Sequence, residues 1–371
     1  MKNHSKILLS LVSVLVVLGV ILVLSASSTY SALKFDSFSS LFNNHLIKVV
    51  FAIAVMIIFA KIPYQYYKKY SKKITIGIIL VLFFTFLLAA KVKGAGRWIN
   101  LSLFTIQPSE VAKIVLLVHL AYLIEKKGNL IKDFKQGFIY PVVWVFITAG
   151  LVLVQPNLST SIVIVVTSFT VMYVGGAKLK HILSTLGFAS VFGIAAMMIF
   201  PHSRERILTY FNAIFGTGEI NVQVAQAKIA LGSGGLTGVG LGHSRQADLF
   251  LPEAYGDFIF SILGEEMGFV GAFLVLFIYL TIFFVGIVIA KKAKDDFGQL
   301  LAFGLSFNIV ISAFINAAVV IGLLPTTGIT LPFISYGGTS ITFMCASIGI
   351  ILNIAKQSRD KKDETAVVYE E

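Results

Sequence analysis

Long apolar runs without charged side chains recur along this chain of 371 residues. A helix that crosses a membrane needs ~20 consecutive apolar residues, because each residue adds only ~1.5 Å against a hydrocarbon core of ~30 Å. Charged residues make up 13% of the chain, against roughly 25% in soluble domains. The pattern predicts an all-α polytopic membrane protein. Its ten predicted spans are 7–27, 46–62, 74–92, 108–125, 137–154, 159–176, 181–200, 258–290, 298–322 and 338–356.

Two of these runs have unusual lengths or flanks. The first follows Lys2 and Lys6, as a signal peptide would, but its apolar core exceeds the ~7–15 residues of such a segment. It is therefore interpreted as a retained anchor. The eighth is too long for one straight span, so we expect its first turns to lie at the membrane interface.

The lysines and arginines predict the orientation of the spans. If the N-terminus is cytoplasmic, twenty of the thirty basic residues fall on the cytoplasmic side, so the positive-inside rule places both termini there. This topology accounts for the net charge of +12 without a nucleic-acid partner. The twenty residues are Lys2, Lys6, Lys61, Lys68, Lys69, Lys72, Lys73, Lys126, Lys127, Lys132, Lys135, Lys178, Lys180, Lys291, Lys292, Lys294, Lys356, Arg359, Lys361 and Lys362.

The chain divides into a single transmembrane domain, 1–358, and a short cytoplasmic tail, 359–371. The charged composition of the tail predicts disorder. The domain includes an extracytoplasmic connection, 201–257, between spans seven and eight. Connections of this length are usually functional or disordered. The middle of this one is compatible with an interfacial amphipathic helix.

Some kinds of site are not supported by the residues present. A single cysteine, Cys345, excludes an internal disulfide, and its apolar surroundings do not favour a thiol nucleophile. The six histidines form no HxxxH pair, so no metal ligands are assigned. The stretch GSGGLTGVGLG (232–242) lacks the register and the lysine of a nucleotide-binding loop. It favours a flexible turn packed against another backbone or against lipid.

Carboxylates within or near the apolar runs are costly and are candidates for function. Asp257 lies just before span eight, where it is either an N-cap or a functional group. Helical spacing places it on one face with Ser261, Gly264, Glu265 and Gly268, a face that should contact protein or water. Glu265 or Glu266 alternatively pairs with a lysine. Nine carboxylates lie on the outer side or within the spans, namely Asp36, Glu110, Glu205, Glu219, Asp248, Glu253, Asp257, Glu265 and Glu266. Of these, Asp36 and Glu219 lie in loops and are interpreted as solvated surface.

Three further stretches combine polar groups with turn residues. In KGAGRWINLSLFTIQPSEVAK (93–113), Glu110 and Lys113 are spaced to pair on one helical face, either as a structural ion pair between helices or as a functional pair. Arg97 and Trp98 suit an interface anchor or a phosphate or sugar contact. LPTTGITLPFISYGGTS (324–340) predicts a rigid outer turn, and QPNLST (155–160) a tight one.

Together these stretches resemble the SEDS family of shape, elongation, division and sporulation proteins, typified by RodA and FtsW. The matching motifs are GAGRWIN, QPSEVAK, QPNLST, IALGSGGLTGVGLG, LPEAYGDFIFSILGEEMG and LPFISYGGTS, in the family's order. GVGLGHSRQ leading into LPEA is more similar to the FtsW branch. The resemblance implies a peptidoglycan glycosyltransferase that polymerises lipid II, with Asp257 at the family's essential aspartate.

The resemblance also implies roles for other residues. It assigns Glu110, Lys113, Arg97 and Trp98 to substrate binding, and it adds Glu253 and Ser335 from the LPEA and LPFISYGGTS motifs. Two positions depart from the family pattern. Tyr255-Gly256 stands where a His-Thr pair is usual, and Asn157 stands where aspartate is frequent.

The implied reaction has simple chemical requirements. A sugar hydroxyl attacks an anomeric carbon and a diphosphate leaves, so the site needs a general base and cations, not the two carboxyls of a glycosidase. Asp257 is the candidate base. No cofactor is assigned, although a divalent cation, Mg²⁺ or Mn²⁺, is an alternative source of positive charge. The candidate phosphate-binding residues are Lys113, Arg204, Arg206, Lys228 and Arg245.

Other functions are compatible with the same residues. A lipid II flippase or transporter would use the ionisable groups as a pathway, and a scaffold would recruit a class B penicillin-binding protein. The family resemblance implies such a transpeptidase partner, together with divisome or elongasome proteins and membrane lipids. It places the chain in the bacterial cytoplasmic membrane.

Overall fold

The computed structural model describes residues 2–88, 97–100, 105–199, 201–217, 221–251 and 253–368. Outside the described residues lie the ends of the predicted third and seventh spans, residues 94–96 of the GAGRWIN motif and Glu219.

The described part of the chain is almost entirely helical. Two short antiparallel strands, β1 (Ile99–Asn100) and β2 (Thr105–Ile106), pair Ile99 with Ile106. The helices are α1 (Lys2–Phe35), α2 (Ser40–Lys61), α3 (Tyr64–Leu88), α4 (Pro108–Lys127), α5 (Ile139–Val154), α6 (Leu158–Val174), α7 (Leu179–Ile199), α8 (Pro201–Phe215), α9 (Val222–Ser233), α10 (Ile259–Lys291), α11 (Asp296–Val320) and α12 (Gly338–Val368). Short 3₁₀ or π turns lie at Gly128–Lys132, Phe134–Phe138 and Gln246–Phe250.

Each of the ten predicted spans coincides with a helix, namely α1 to α7 and α10 to α12. Among the described residues, seven helices are long and apolar enough to cross a membrane, one of them formed by α5 and the turn before it. Among the helices that match a predicted span, those below this threshold are α4, which carries charged residues, and the apolar helices α6 and α7. A multi-pass membrane protein is therefore supported, while the number ten remains a prediction.

The helices pack in a way that leaves apolar side chains outside. α10 packs on α11 and α1, α2 on α12, α3 on α4, and α5 on α6. On the outer helix α7, Phe188 is 67% exposed and Val191 is 64% exposed. Such faces are unfavourable in water but suit the hydrocarbon of a bilayer.

The long connection between α7 and α10 is structured. Its middle forms α9, as the sequence suggested, but this helix packs on α10 and buries Ala227 and Ala230. The stronger amphipathic pattern belongs to α8, whose Phe211 and Phe215 are exposed. The connection therefore contributes two helices that cover one end of the bundle.

The predicted disorder of the tail is not observed in its described residues. Helix α12 continues to Val368, well past the end of the predicted span. Lysine and glutamate in this tail are good helix formers, which explains why a charged segment can extend a helix that is already nucleated.

Helix α10 is interrupted at Gly268, where the backbone has φ 68° and ψ −170°. This break agrees with the expectation that the eighth span is not one straight helix. The conformation is essentially restricted to glycine. It leaves backbone groups on both sides of the break without helical partners.

The glycine-rich stretch 232–242 supplies those partners. Val239 N–H donates to Glu265 O over 3.0 Å, and Gly240 N–H donates to Glu266 O over 3.0 Å. Beyond the break, Phe269 N–H donates to Gly235 O over 2.9 Å. The predicted turn against another backbone is confirmed, and the absence of side chains at these glycines permits the close approach.

The bundle has two chemically different ends. One end, here called the hairpin end, contains the β1–β2 hairpin, the α5–α6 turn, the start of α10 and the α11–α12 loop. These segments are tied together: Thr339 Oγ1 donates to Thr105 O over 2.9 Å, and Tyr336 N–H donates to Tyr255 O over 2.8 Å.

The opposite end, here called the lysine-rich end, contains the α2–α3, α4–α5, α6–α7 and α10–α11 connections. Tyr64 Oη donates to Asp295 Oδ1 over 3.1 Å and Asn353 Nδ2 donates to Ala60 O over 2.9 Å, which joins three of its segments. This separation of ends is what the positive-inside pattern predicts, because the lysine clusters fall in connections that all lie at one end.

Candidate active site

The segment before α10 forms a turn at the hairpin end. Gly256 N–H donates to Glu253 O over 2.9 Å, and Glu253 has a positive φ of 55°. The helix begins at Ile259 with Phe258 in the N-cap position. The interpretation of Asp257 as the N-cap is therefore wrong, and its carboxylate belongs to the turn.

Asp257 lines a cavity of ≈ 160 Å³ at this end. Arg206 of α8 lines the same cavity. The opposite wall comes from the α11–α12 loop, where a Cβ placed on Gly328 would lie 3.5 Å from Asp257 Oδ2. The remaining lining residues are Glu205, Thr209, Asn221, Gln223, Phe258, Asn316, Val319, Thr326, Thr327 and Ile329.

Arg206 lies where this cavity meets two others. It lines a neighbouring cavity of ≈ 210 Å³ together with Lys228, and another of ≈ 160 Å³ together with Arg97. Its Nη1 donates to Thr326 O over 3.2 Å, which fixes α8 to the α11–α12 loop. Burial lowers the pKa of Arg206, although the nearby charges of Asp257 and Glu205 partly oppose this.

Arg97 precedes the hairpin and contacts the QPNLST turn. Its Nε donates to Gln155 O over 3.0 Å, and its Nη2 donates to Pro156 O. Burial, followed by the charge of Arg206, lowers the pKa of Arg97 to about 10. Both guanidinium groups remain charged at neutral pH, so this end presents two neighbouring cations, an arrangement that suits a phosphate-bearing ligand.

Glu110 and Lys113 form the predicted ion pair, with Lys113 Nζ 2.9 Å from Glu110 Oε1. Lys113 is 4% exposed and Glu110 13%, so the pair is largely withdrawn from solvent. The pair lies within α4 instead of joining two helices. These residues are not among those lining the three cavities, so their binding role remains a prediction.

The other predicted binding residues lie away from these cavities. Trp98 is 42% exposed, as an interface anchor would be. Arg204 and Arg245 are exposed, and Glu253 is exposed on the turn before α10. Ser335 is 3% exposed, and its Oγ accepts a hydrogen bond from Leu331 N–H over 2.8 Å. Of the predicted set, the three cavities bring together Asp257, Arg206, Arg97 and Lys228.

The adjacent carboxylates of α10, Glu265 and Glu266, bind hydroxyl and backbone groups and not a lysine. Glu265 Oε2 accepts from Ser244 Oγ over 2.5 Å, and Glu265 Oε1 accepts from Arg245 N–H over 3.2 Å. Glu266 accepts a hydrogen bond from Ser25 Oγ of α1. The predicted lysine partner is therefore wrong. The predicted stripe holds only in part: Ser261, Gly264 and Glu265 are buried on α10, whereas Asp257 precedes the helix and Gly268 lies at a break in it.

The cavity offers few groups suited to holding a metal ion by themselves. Two carboxylates, Asp257 and Glu205, line it beside the Arg206 guanidinium. Within the described ranges, no group of three or more His, Cys, Asp or Glu side chains is arranged to hold a cation. Mg²⁺ usually adds substrate phosphates and water to one or two carboxylates. The two carboxylates fit that pattern only with a phosphate ligand present.

Sequence reasoning missed one residue at this site, Asn316. It is 1% exposed and lines the same cavity as Asp257. The sequence does contain a signal for this residue, because Asn316 is a polar amide within the apolar run of span nine. Polar side chains in such runs usually face protein and not lipid.

Comparison with known proteins identifies the family. The family model described as cell cycle protein, covering FtsW, RodA and SpoVE, matches residues 5–360. The chain belongs to the FtsW/RodA/SpoVE family.

Two relatives match this FtsW/RodA/SpoVE protein over nearly the whole length of both chains. The probable peptidoglycan glycosyltransferase FtsW of Geobacter metallireducens is 34% identical over 360 residues, which is 96% of each chain. Stage V sporulation protein E of Bacillus subtilis is 35% identical over 367 residues, 96% of this chain and 99% of that one. One of these relatives is thus named FtsW and the other is named as a sporulation protein.

A solved structure shares the fold. It is a chain from a study of how a peptidoglycan synthase complex coordinates polymerization and crosslinking. The TM-score is 0.77 at 22% identity, and the match covers 95% of this chain and 97% of the other. At that identity the likeness establishes the helical fold alone.

Proposed function

We propose that this protein is a peptidoglycan glycosyltransferase that polymerises lipid II at the outer face of the cytoplasmic membrane. The observation that carries the proposal is the shared cavity of Asp257 and Arg206 at the hairpin end. A carboxylate and a guanidinium facing one space are the base and the cation that the reaction requires. The relatives' names as probable glycosyltransferases agree with this chemistry.

In the proposed reaction, Asp257 acts as the general base. The 4-hydroxyl of one sugar attacks the anomeric carbon of the other substrate, and the Asp257 carboxylate takes the hydroxyl proton. The bond from that carbon to the diphosphate oxygen breaks as the new glycosidic bond forms. Because diphosphate is a good leaving group, no carboxylic acid is needed to protonate it, in contrast to glycosidases.

The basic side chains would hold the diphosphate. Arg206 lines all three cavities, with Arg97 on one side and Lys228 on another. Guanidinium groups bind phosphate oxygens through paired hydrogen bonds, and partial burial strengthens that attraction. Arg206 is therefore the group best placed to stabilise the negative charge that develops as the bond breaks.

The proposed site lies opposite the lysine-rich end. The positive-inside rule assigns the lysine-rich end to the cytoplasm, which puts Asp257 at the external leaflet. There the isoprenoid tails can stay in the bilayer while the sugars react in water. A transporter would more naturally carry ionisable groups near the midplane of the membrane.

The proposed partner is a class B penicillin-binding protein of the divisome or elongasome. A glycosyltransferase makes strands that require crosslinking, and the matched complex is described as coordinating both steps. The exposed apolar helix faces are the kind of surface that a partner's transmembrane helix or lipid would cover.

Polymerisation in detergent tests the proposal. The purified protein, with its partner transpeptidase, is given lipid II without a bilayer to cross. We expect glycan strands from the wild type and none from Asp257→Asn. Asp248→Asn is a matched control, because Asp248 lies in the same connection but binds Thr29 Oγ1 at an exposed position.

The outcomes separate the candidate functions. Strands formed equally well by Asp257→Asn would reject Asp257 as the base. Strands formed by neither variant nor wild type, with any partner, would favour a flippase or a scaffold. Loss of glycan strands in Asp248→Asn as well would show that these substitutions disrupt the structure of the 201–257 connection instead of removing a catalytic base.

A further inference from the structure

Asn316 lies between the two walls of the proposed active site. It sits in the last turns of α11, is 1% exposed and borders the Asp257 cavity. Its Nδ2 donates to Asp257 O over 2.7 Å and to Ile329 O over 2.8 Å. One amide group therefore joins the turn before α10 to the α11–α12 loop.

This bridge controls the space around the carboxylate. Ile329 directly follows Gly328, whose Cβ position lies 3.5 Å from Asp257 Oδ2. Gly328 has a φ of 73°, so its place in the wall depends on a backbone geometry that few other residues adopt. By fixing the Ile329 carbonyl and the Asp257 carbonyl, Asn316 sets the separation between the carboxylate and the opposite wall.

The side-chain oxygen of Asn316 supports a specific role for this residue. Asn316 Oδ1 is buried and has no hydrogen-bond partner among the described residues. Leaving a buried acceptor unpaired costs folding free energy, which an apolar side chain of similar size would avoid. An amide at this position therefore leaves its own oxygen unpaired while it supplies two N–H donors to the Asp257 and Ile329 carbonyls.

We infer that Asn316 is a positioning residue that holds Asp257 and the 326–329 wall at the separation required for transfer. The inference rests on the proposed glycosyltransferase function and extends it to a residue that does not touch the reacting atoms. Small displacements of a catalytic group lower the rate much more than they lower binding. The expected signature is therefore a loss of kcat with little change in KM.

The test compares two buried asparagines of α11. Asn316→Leu removes both donors at similar size, and Asn316→Gln retains a donor on a longer side chain. Asn308→Leu is the matched control, because Asn308 is 0% exposed, also has an unpartnered Oδ1, and does not border the Asp257 cavity. Polymerisation of lipid II is measured as kcat and KM, and thermal unfolding is followed for each variant.

We expect Asn316→Leu to lower kcat on the order of 10²-fold with a similar KM. Asn316→Gln should recover part of this loss, and Asn308→Leu should keep the wild-type kcat. Equal kcat values for Asn316→Leu and Asn308→Leu would overturn the inference, even where Asp257→Asn is inactive and the proposed function stands.

A second readout does not depend on activity. Cys345, the single native cysteine, is buried, so an introduced Thr327→Cys can be labelled selectively with a maleimide. In that background we expect Asn316→Leu to raise the labelling rate at position 327 and Asn308→Leu to leave it unchanged. Equal rates would overturn the inference whether or not the wild type polymerises lipid II.

Discussion

Arg204 and Arg206 show how two neighbouring arginines acquire different roles. Successive residues of a helix point ~100° apart, so positions two apart face nearly opposite directions. Arg206 turns into the cavities and donates to Thr326 O, whereas Arg204 is exposed. The local sequence HSRERI gives no reason to prefer either, because the deciding contact comes from a loop more than a hundred residues away.

Arg206→Ala should weaken the use of lipid II. A hydrogen bond to a charged group contributes ~1.5–3 kcal/mol, so we expect kcat/KM to fall roughly 10- to 100-fold. Arg204→Ala should leave kcat/KM close to wild type. Steady-state polymerisation assays measure both, and equal losses in the two variants would contradict the assignment of Arg206 to the site.

The pH dependence of diphosphate binding tests the environment of Arg97. Burial and the Arg206 charge both disfavour its charged form and lower its pKa to about 10. The cation is therefore present at neutral pH and is lost as the pH rises through about 10. Binding of undecaprenyl diphosphate by the Asp257→Asn variant should be constant near pH 7 and should decline at strongly alkaline pH.

Arg97→Lys should move this decline to lower pH. An ordinary lysine has a pKa of ~10.4, below that of arginine, and the same burial and neighbouring charge would lower it further. Arg204→Lys, at the exposed position, is the control and should not shift the curve. Superimposable binding curves for the Asp257→Asn variant with and without Arg97→Lys would show that Arg97 does not contact the diphosphate.

At the scale of single residues, the sequence singles out Asp257, the proposed base, but not Asn316, which binds its backbone carbonyl. Asp257 was recognisable because a carboxylate just before an apolar span is costly without a role. Asn316 was not singled out, because an amide within an apolar run can satisfy its hydrogen bonds in many ways. For Glu265 or Glu266 the sequence offers a lysine partner as one alternative, because charge complementarity is the simplest solution. Glu265 instead accepts hydrogen bonds from Ser244 Oγ and Arg245 N–H, which follow the glycine-rich stretch, and Glu266 accepts one from Ser25 Oγ of α1.

At the scale of elements, the break in α10 links the glycine-rich stretch to the site. The segment from Ile259 to Met267 leads from the Asp257 turn, and the stretch 232–242 pairs with it at Gly268. The sequence predicted a turn against a backbone but could not name that backbone, because glycine within a helical run is compatible with several conformations.

Gly268→Ala should destabilise the protein strongly. A Cβ at Gly268 would lie 2.4 Å from Gly238 N, and the φ of 68° is unfavourable for alanine. Backbone strain and overpacking each cost ~1–3 kcal/mol, so we expect a large loss in unfolding free energy. Gly150→Ala in α5 is the control, because no atom lies within 4 Å of its Cβ position. It should be neutral or slightly stabilising.

Thermal unfolding in detergent distinguishes these two variants. Gly268→Ala should unfold at a lower temperature than wild type and should yield less monodisperse protein. An unchanged melting temperature would mean that α10 can remain continuous at this position and that the pairing with 232–242 is dispensable.

At the scale of the whole molecule, the apolar runs and the lysines determined more than the motifs did. Runs of ~20 apolar residues can form only helices in a bilayer, which is why all ten predicted spans coincide with helices. Their ends were less predictable: α3 begins at Tyr64, within the lysine-rich stretch before its predicted span. Lysine side chains can extend from a helix toward water, so a helix can start in a segment whose sequence predicts a loop.

The orientation of the bundle in the membrane can be tested by labelling introduced cysteines. The single native cysteine, Cys345, is buried and should not react with the reagent. Leu323, at the hairpin end, is 66% exposed, and Asn129, at the lysine-rich end, is exposed. Because lysine-rich connections are retained in the cytoplasm, Leu323→Cys should react with a membrane-impermeant maleimide added to intact spheroplasts. Asn129→Cys should react only after permeabilisation. The reverse pattern would place Asp257 on the cytoplasmic side, where lipid II polymerisation at the outer leaflet could not use it.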